Sequence, residues 1–287
     1  MFLTTENGCQ RRRNRGPASA ATQLGTPIKD GQAASKLGVG LGEYYWGYAS
    51  GIVATKVADW GEFVLAELTQ AFDQSDISYF FPLLNAAERR LGYRAPFGAF
   101  DAAFDAFYVY DYFHQAGGFA AVPFSERGGH KRTFDETGLP LCQAGLPMPL
   151  KSTFVCRTDL VEHEKGRYAC PLCFPQRTGQ ACPIGHKNWE RGGCITTMPT
   201  AAGARIRYQL DREDAAFKKI YNQRTATERI NAQALELNIE RPKLRNQEAI
   251  ANQNTLIYVL INLRALQRVR RRKAERGLLD EQHLPLG

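Results

Sequence analysis

The apolar pattern of the chain begins at Tyr44. Upstream, residues 1–43 mix Arg, Gly, Ala, Thr and Pro without a period, which predicts a poorly ordered basic lead-in with no strand. YYWGYASGIVATKVAD, rich in aromatic and β-branched residues, and EFVLAELTQAF beyond a turn at Asp59 to Gly61 then predict a β-hairpin. ISYFFPLLNAAERRL predicts a helix interrupted at Pro82, APFGAF a short strand ending at Asp101, AAFDAFYVYDYFHQ an aromatic helix, and GGFAAVPF another short strand. Strand, helix and strand of these lengths make a βαβ unit. Residues 125–212 lose the rhythm and become rich in Gly, Pro, Cys and charge. Ala216 to Leu237 predicts one helix, Arg241-Pro242 breaks it, and Asn246 to Lys273 predicts a last long helix with Leu256, Ile257, Leu260, Ile261 and Leu263 among its apolar positions.

The expected organisation is therefore a lead-in at 1–43, the first part of an α/β core at 44–124, a Cys/Gly/Pro-rich insertion at 125–212, helices completing the core at 213–276, and a tail at 277–287. Composition adds that 287 residues with 44% hydrophobic content can build a substantial core. No apolar run is long enough for a membrane span, and the N-terminus has no signal-peptide segment, so a cytoplasmic location and no membrane partner are expected.

Charge narrows the partners. The net charge is +8, and residues 264–276 hold seven Lys/Arg against one Glu, namely Arg264, Arg268, Arg270, Arg271, Arg272, Lys273 and Arg276. A second cluster comprises Arg11, Arg12, Arg13 and Arg15. Clustered cations point to a polyanion, although a solubilising helix end has the same composition. Six of the seven cysteines fall between Cys142 and Cys194, which marks a module of thiols or metal ligands.

Two groups of residues carry candidate chemistry. Tyr221, Arg224 and Glu228 are spaced i, i+3, i+7, so steps of about 100° along a helix set phenol, guanidinium and carboxylate on one face. In FGAFDAAFDAF, Asp101 and Asp105 stand four apart; Asp101 at the strand end would enter the cleft above a sheet, or else cap the next helix. Carboxylates converging from sheet and helix suit a pair of Mg²⁺ (or Mn²⁺) ions in phosphoryl transfer, with Asp101 and Glu228 as ligands. In the Cys module, Cys170-x2-Cys173 followed by Cys182, His186 and Cys194 could hold Zn²⁺, with Cys170, Cys173, Cys182 and Cys194 as the candidate set; partly buried free thiols are the other reading. The glycine run Gly38 to Gly42 lacks the Lys-Ser/Thr of a phosphate loop, and the five histidines are scattered.

These residues carry a family resemblance. FGAFDAAFDAF resembles the strand-turn "ADxxYD" signature of insertion-sequence DDE transposases, and Tyr221, Arg224 and Glu228 match the Y-(2)-R-(3)-E signature bearing their last catalytic acid. WGYASGIVATKVADWGEFVLAEL resembles their "GYK" hairpin, and the likeness spans roughly residues 44–124 and 214–268. It implies an RNase H-like mixed sheet with flanking helices, here with a Cys-rich insertion. It also implies DNA cleavage and strand transfer dependent on Mg²⁺, transposon-end DNA as partner, a homo-oligomer, and a nucleoid-associated bacterial location. On this resemblance Arg224, Tyr221 and the basic residues from Arg264 to Lys273 contact DNA. Leu235 stands where the family has a Lys, and no "hhhDxT" segment with the first catalytic Asp is found in residues 1–43. The expectation is a chain shortened at its N-terminus, with two of the three acids, an incomplete sheet that exposes a central strand edge, and activity not assured. A non-catalytic basic zinc module that binds nucleic acid or protein is the alternative.

Overall fold

The computed structural model describes residues 2–9, 34–37, 44–71, 74–125, 131–158, 160–244 and 246–277, with only the backbone course given for 2–9, 34–37 and 44–47. In chain order its elements are β1 (Phe2–Cys9), β2 (Ala34–Leu37), β3 (Tyr44–Val57), β4 (Gly61–Ala71), α1 (Phe80–Leu91), β5 (Phe97–Ala99), α2 (Phe107–Gln115), β6 (Phe119–Ala121), β7 (Leu150–Arg157), β8 (Glu162–Ala169), β9 (Ile195–Pro199), α3 (Gly203–Gln209), α4 (Ala215–Tyr221), α5 (Thr225–Glu236) and α6 (Gln247–Glu275). The architecture is mixed α/β. Contacts divide the chain into two compact units, one of Met1–Asp101 with Lys219–Gly287, the other of Ala102–Lys218.

In the first unit the strand order is β4, β3, β1, β5. β3 and β4 form the expected hairpin; Asp59 (φ 64) and Gly61 (φ 138) take the left-handed backbone of its turn, closed by Trp60 N–H on the Val57 carbonyl at 3.1 Å. Residues 48–55 of β3 are buried without alternation, the signature of a strand covered on both faces. Ile52 and Ala54 pack with Ile230, Ala234, Ile239, Ile257, Tyr258 and Ile261 from the helical side. Helix α1 packs on β3 and β4, and its Tyr79 neighbour donates a hydroxyl to the Ala49 carbonyl at 2.9 Å.

The lead-in departs from expectation. β1 runs antiparallel to β3, from Thr4 opposite Ala54 to Cys9 opposite Ala49, and parallel to β5, from Phe2 opposite Phe97 to Thr4 opposite Ala99. β2 pairs with the start of β3, Ala34 opposite Gly47. The strand between β3 and β5 is thus present, and the expected exposed central edge is occupied by backbone pairing that needs no apolar pattern. The Arg11 to Arg15 cluster and residues 278–287 of the tail lie outside the described residues.

Three helices differ in detail from the pattern. Pro82 does not interrupt α1: it stands in the first turn, where no intrahelical donor is lost, and the helix ends at Gly92 (φ 76), whose N–H reaches the Glu88 carbonyl at 2.9 Å. The aromatic helix starts late, at Phe107, after a 3-10 turn at Ala102–Phe104. In α6 the buried stripe is Ile250, Asn254, Ile257, Tyr258, Ile261 and Ala265, so Leu256 (69% exposed), Leu260 and Leu263 face outward although the sequence offers them equally. Asn246 caps α6 by accepting from Ala249 N–H at 2.7 Å. Across the register shift in β4, Asn262 of α6 accepts from Val64 N–H at 2.8 Å and donates to its carbonyl at 2.9 Å, closing the edge strand's open groups. Among the described residues no helix is long and apolar enough to cross a membrane.

In the second unit α2 packs against α3, and β7, β8 and β9 form an antiparallel sheet. Gly203 permits the helix approach: a Cβ there would meet the Phe107 carbonyl at 2.1 Å and the Asp111 nitrogen at 2.5 Å. A buried polar network ties the helices together. Asp105, its side chain 1% exposed, pairs with Arg207 at 2.7 Å and accepts from the Tyr110 hydroxyl and the Ser125 N–H, each at 2.7 Å. Arg212 donates to the Tyr110 hydroxyl at 3.0 Å and to the Val122 carbonyl at 3.0 Å. These bonds explain why residues 102–124 pack with the segment that follows them.

Candidate functional site

The two acids singled out in the sequence lie in the same unit. Asp101 follows β5 by two residues and is half-buried. It does not cap α2, whose N-cap is Ala106. Its neighbour Asp105 is absorbed by the Arg207 network in the other unit, which separates the two aspartates by role: one structural, one at a strand end.

The Tyr221, Arg224 and Glu228 face does form, though not on one continuous helix. α4 stops at Tyr221, Asn222–Arg224 make a 3-10 turn, and α5 restarts at Thr225. Side chains cause the break: the Thr225 hydroxyl donates to the Asn222 carbonyl at 2.9 Å and the Thr227 hydroxyl to the Arg224 carbonyl at 2.6 Å, competing with the helical ladder. Arg224 donates to the Glu228 carboxylate at 2.5 Å, and its guanidinium lies 5.9 Å from the Tyr221 ring centre. Glu228 keeps 44% of its side chain exposed. The 3-10 turn bearing Arg224 packs on both β1 and β5, and α5 packs on β1.

One acidic position escaped the sequence pattern. Thr4 stands opposite Ala99 in the parallel ladder, so Glu6, two residues further along β1, falls on the register line of Asp101. The usable signal was the β-branched pair Thr4-Thr5 after Phe2-Leu3, too short to stand out.

The basic end of α6 is exposed along Arg264, Arg268, Arg270, Arg271, Arg272 and Lys273. Part of it is already engaged: Arg271 pairs with Glu275 at 2.9 Å, Arg272 donates to the Asp59 carbonyl, and Lys273 and Arg276 lie 5.8 and 5.1 Å from the Trp60 ring centre. The cations and the hairpin tip therefore share one surface of the first unit.

In the second unit the expected thiol set changes. Cys170, Cys173 and Cys194 lie together, and Cys142, which the sequence reading left out of the zinc set, also acts on Cys194. Cys182 borders Cys173 and is taken up by backbone N–H groups of His186, Ile184 and Gly185, which hold its thiol below the usual range. The missed signal was Cys142-x2-Gly145, where Gly145 (φ 74) makes a tight turn. Among the described residues no three His, Cys, Asp or Glu side chains stand ready-spaced around a metal position.

No family model, curated protein or solved structure matches the chain.

Proposed function

We propose that the first unit is an RNase H-like DNA-processing module that carries out transposase-type phosphoryl transfer on DNA, with Asp101 and Glu228 as its acids. The observation that carries this reading is the strand order β4, β3, β1, β5, with Asp101 just beyond β5 and the Arg224 turn packed on β1 and β5. That arrangement supports an RNase H-like topology, because a three-strand meander is extended by a strand parallel to its first member.

The donor chemistry fits a hard divalent cation, since both acids are carboxylates and Glu228 is accessible. Mg²⁺ or Mn²⁺ there would polarise a scissile phosphate and favour deprotonation of the attacking oxygen. The chain's residues do the positioning. Arg224 holds the Glu228 carboxylate and can turn a remaining N–H to a non-bridging phosphate oxygen. Tyr221 offers its ring or hydroxyl to the strand end. The exposed cations of α6 track the DNA backbone, and paired transposon ends acted on by a homo-oligomer in the bacterial nucleoid complete the reading.

The test uses the full chain with supercoiled plasmid in Mg²⁺ and in Mn²⁺, alongside binding to a linear duplex. Asp101→Asn and Glu228→Gln should abolish nicking while leaving duplex binding and the melting temperature unchanged. Nicking that survives both substitutions would sink the assignment, as would failure of the wild type to bind duplex at low salt.

A further inference from the structure

Between Lys131 and Thr200 the second unit has a thin core. β7 is exposed at every residue except the half-buried Cys156, and the buried apolar side chains of this stretch are Pro140, Met148, Ala169, Cys170, Leu172 and Met198. A segment this size with so little apolar burial ordinarily depends on a cross-link. The six described cysteines are free thiols, so no disulfide among them supplies one.

The thiols are nevertheless gathered by the backbone. Cys142 opens a turn in which Gly145 N–H reaches its carbonyl and its own N–H reaches the Leu146 carbonyl, both at 2.9 Å. Cys173 and Phe174 N–H groups both donate to the Cys170 carbonyl at 3.0 Å, and Cys170 N–H donates to the Cys194 carbonyl at 2.9 Å, tying a second segment to the first. Gly193 (φ 81) is buried against them: a Cβ there would lie 2.5 Å from Cys170 Cβ, 3.0 Å from its Sγ and 3.2 Å from Cys173 Sγ. Side-chain hydrogen bonds join Cys173 and Cys194 to Cys170, and Cys142 is the other sulfur that acts on Cys194.

We propose that Cys142, Cys170, Cys173 and Cys194 form a structural Zn²⁺ site that staples the β7-β8-β9 sheet. This is independent of phosphoryl transfer in the first unit. On binding, four thiols release four protons and one Zn²⁺ takes four thiolate ligands, leaving a site of net charge −2 with the Arg177 cation beside Cys173. Backbone hydrogen bonds already tie Cys170 to Cys173 and to Cys194, so binding asks the sulfurs, with that of Cys142, to rotate toward a common centre. Cys182 stays at the margin.

The test is to strip the full reduced chain with chelator and titrate it with zinc chloride against a chromophoric competitor. One zinc per chain is expected, with Co²⁺ giving the thiolate charge-transfer and d–d bands of a tetrahedral four-sulfur site. Zinc should shield four of the seven thiols from a disulfide reagent. Cys142→Ser and Cys194→Ser should weaken binding at least tenfold, whereas Cys182→Ser and Cys156→Ser should leave it unchanged. The proposal is overturned if the wild type binds no zinc, if zinc leaves thiol reactivity unaltered, or if Cys182→Ser loses the metal while Cys142→Ser keeps it. The wild-type titration and thiol count decide the matter even if a serine variant fails to fold.

Discussion

Substituting Arg207 tests the network that organises the second unit. Arg207→Met keeps much of the apolar stem and removes the guanidinium from a carboxylate whose side chain is 1% exposed, Arg207 itself being 12% exposed. Breaking a buried pair from one side costs about 3–5 kcal/mol, because the surviving charge is left uncompensated. Asp105 would retain the Tyr110 hydroxyl and the Ser125 N–H, with Arg212 one bond further out, so the lower end, about 3 kcal/mol, applies. Adding Asp105→Asn removes the stranded charge: its single oxygen can accept from the Ser125 N–H, and its NH2 can donate to the Tyr110 hydroxyl oxygen. The double variant should therefore recover to within about 1 kcal/mol of wild type. Urea unfolding followed by far-ultraviolet circular dichroism, with hydrogen exchange of α2 and α3 amides, reads both values. A loss below about 1 kcal/mol in the single variant, or a double variant no better than the single, would refute an ion pair that acts through burial.

Other outcomes follow from particular contacts. Gly203→Ala should cost about 1–3 kcal/mol, since its methyl meets the α2 backbone rather than a movable side chain; melting temperature checks it. Asn262→Leu should cost about 1–3 kcal/mol by orphaning Val64 N–H and carbonyl, and faster exchange at Val64 would be its signature. Burial raises Glu67 above its usual 4.5, outweighing donors from Thr69, Thr255 and Ser50, so its contribution to stability is complete below 4.5 and is lost as pH rises through the raised value. Relative to Glu67→Gln, the wild type should lose unfolding free energy on going from pH 4 to pH 7; a flat difference contradicts the shift. Neutralising Arg264, Arg268 and Arg270 together should lower the slope of log affinity against log salt for duplex DNA by up to about 3, and an unchanged slope would remove this helix end from the interface.

Where pattern and structure part, the cause is tertiary. β1 carries no readable period, yet it is held between β3 and β5 by main-chain pairing, and that pairing brings Glu6 to the register line of Asp101. Helix propensity continues through Asn222 to Arg224, and two threonine hydroxyls interrupt it. The sequence sets Asp101 at a strand end and Asp105 four residues further on, but nothing local shows that Asp105 is paired with Arg207, 102 residues away. Cys142 lies 28 residues before the Cys170-x2-Cys173 pair, so proximity to Cys194 had no signature in spacing.

The sequence by itself determined the β3-β4 hairpin, the short strands β5 and β6, the long C-terminal helix, the contiguity of Tyr221, Arg224 and Glu228, and a cysteine-dense segment. All of these depend on residues within about two turns or one hairpin of each other, where side-chain period and turn chemistry act directly. The tertiary structure alone decided which face of α6 is buried, what lies between β3 and β5, which aspartate is neutralised and which thiols meet. Those outcomes depend on partners far apart in the chain, and no local pattern encodes which distant group will fill a given face or satisfy a given charge.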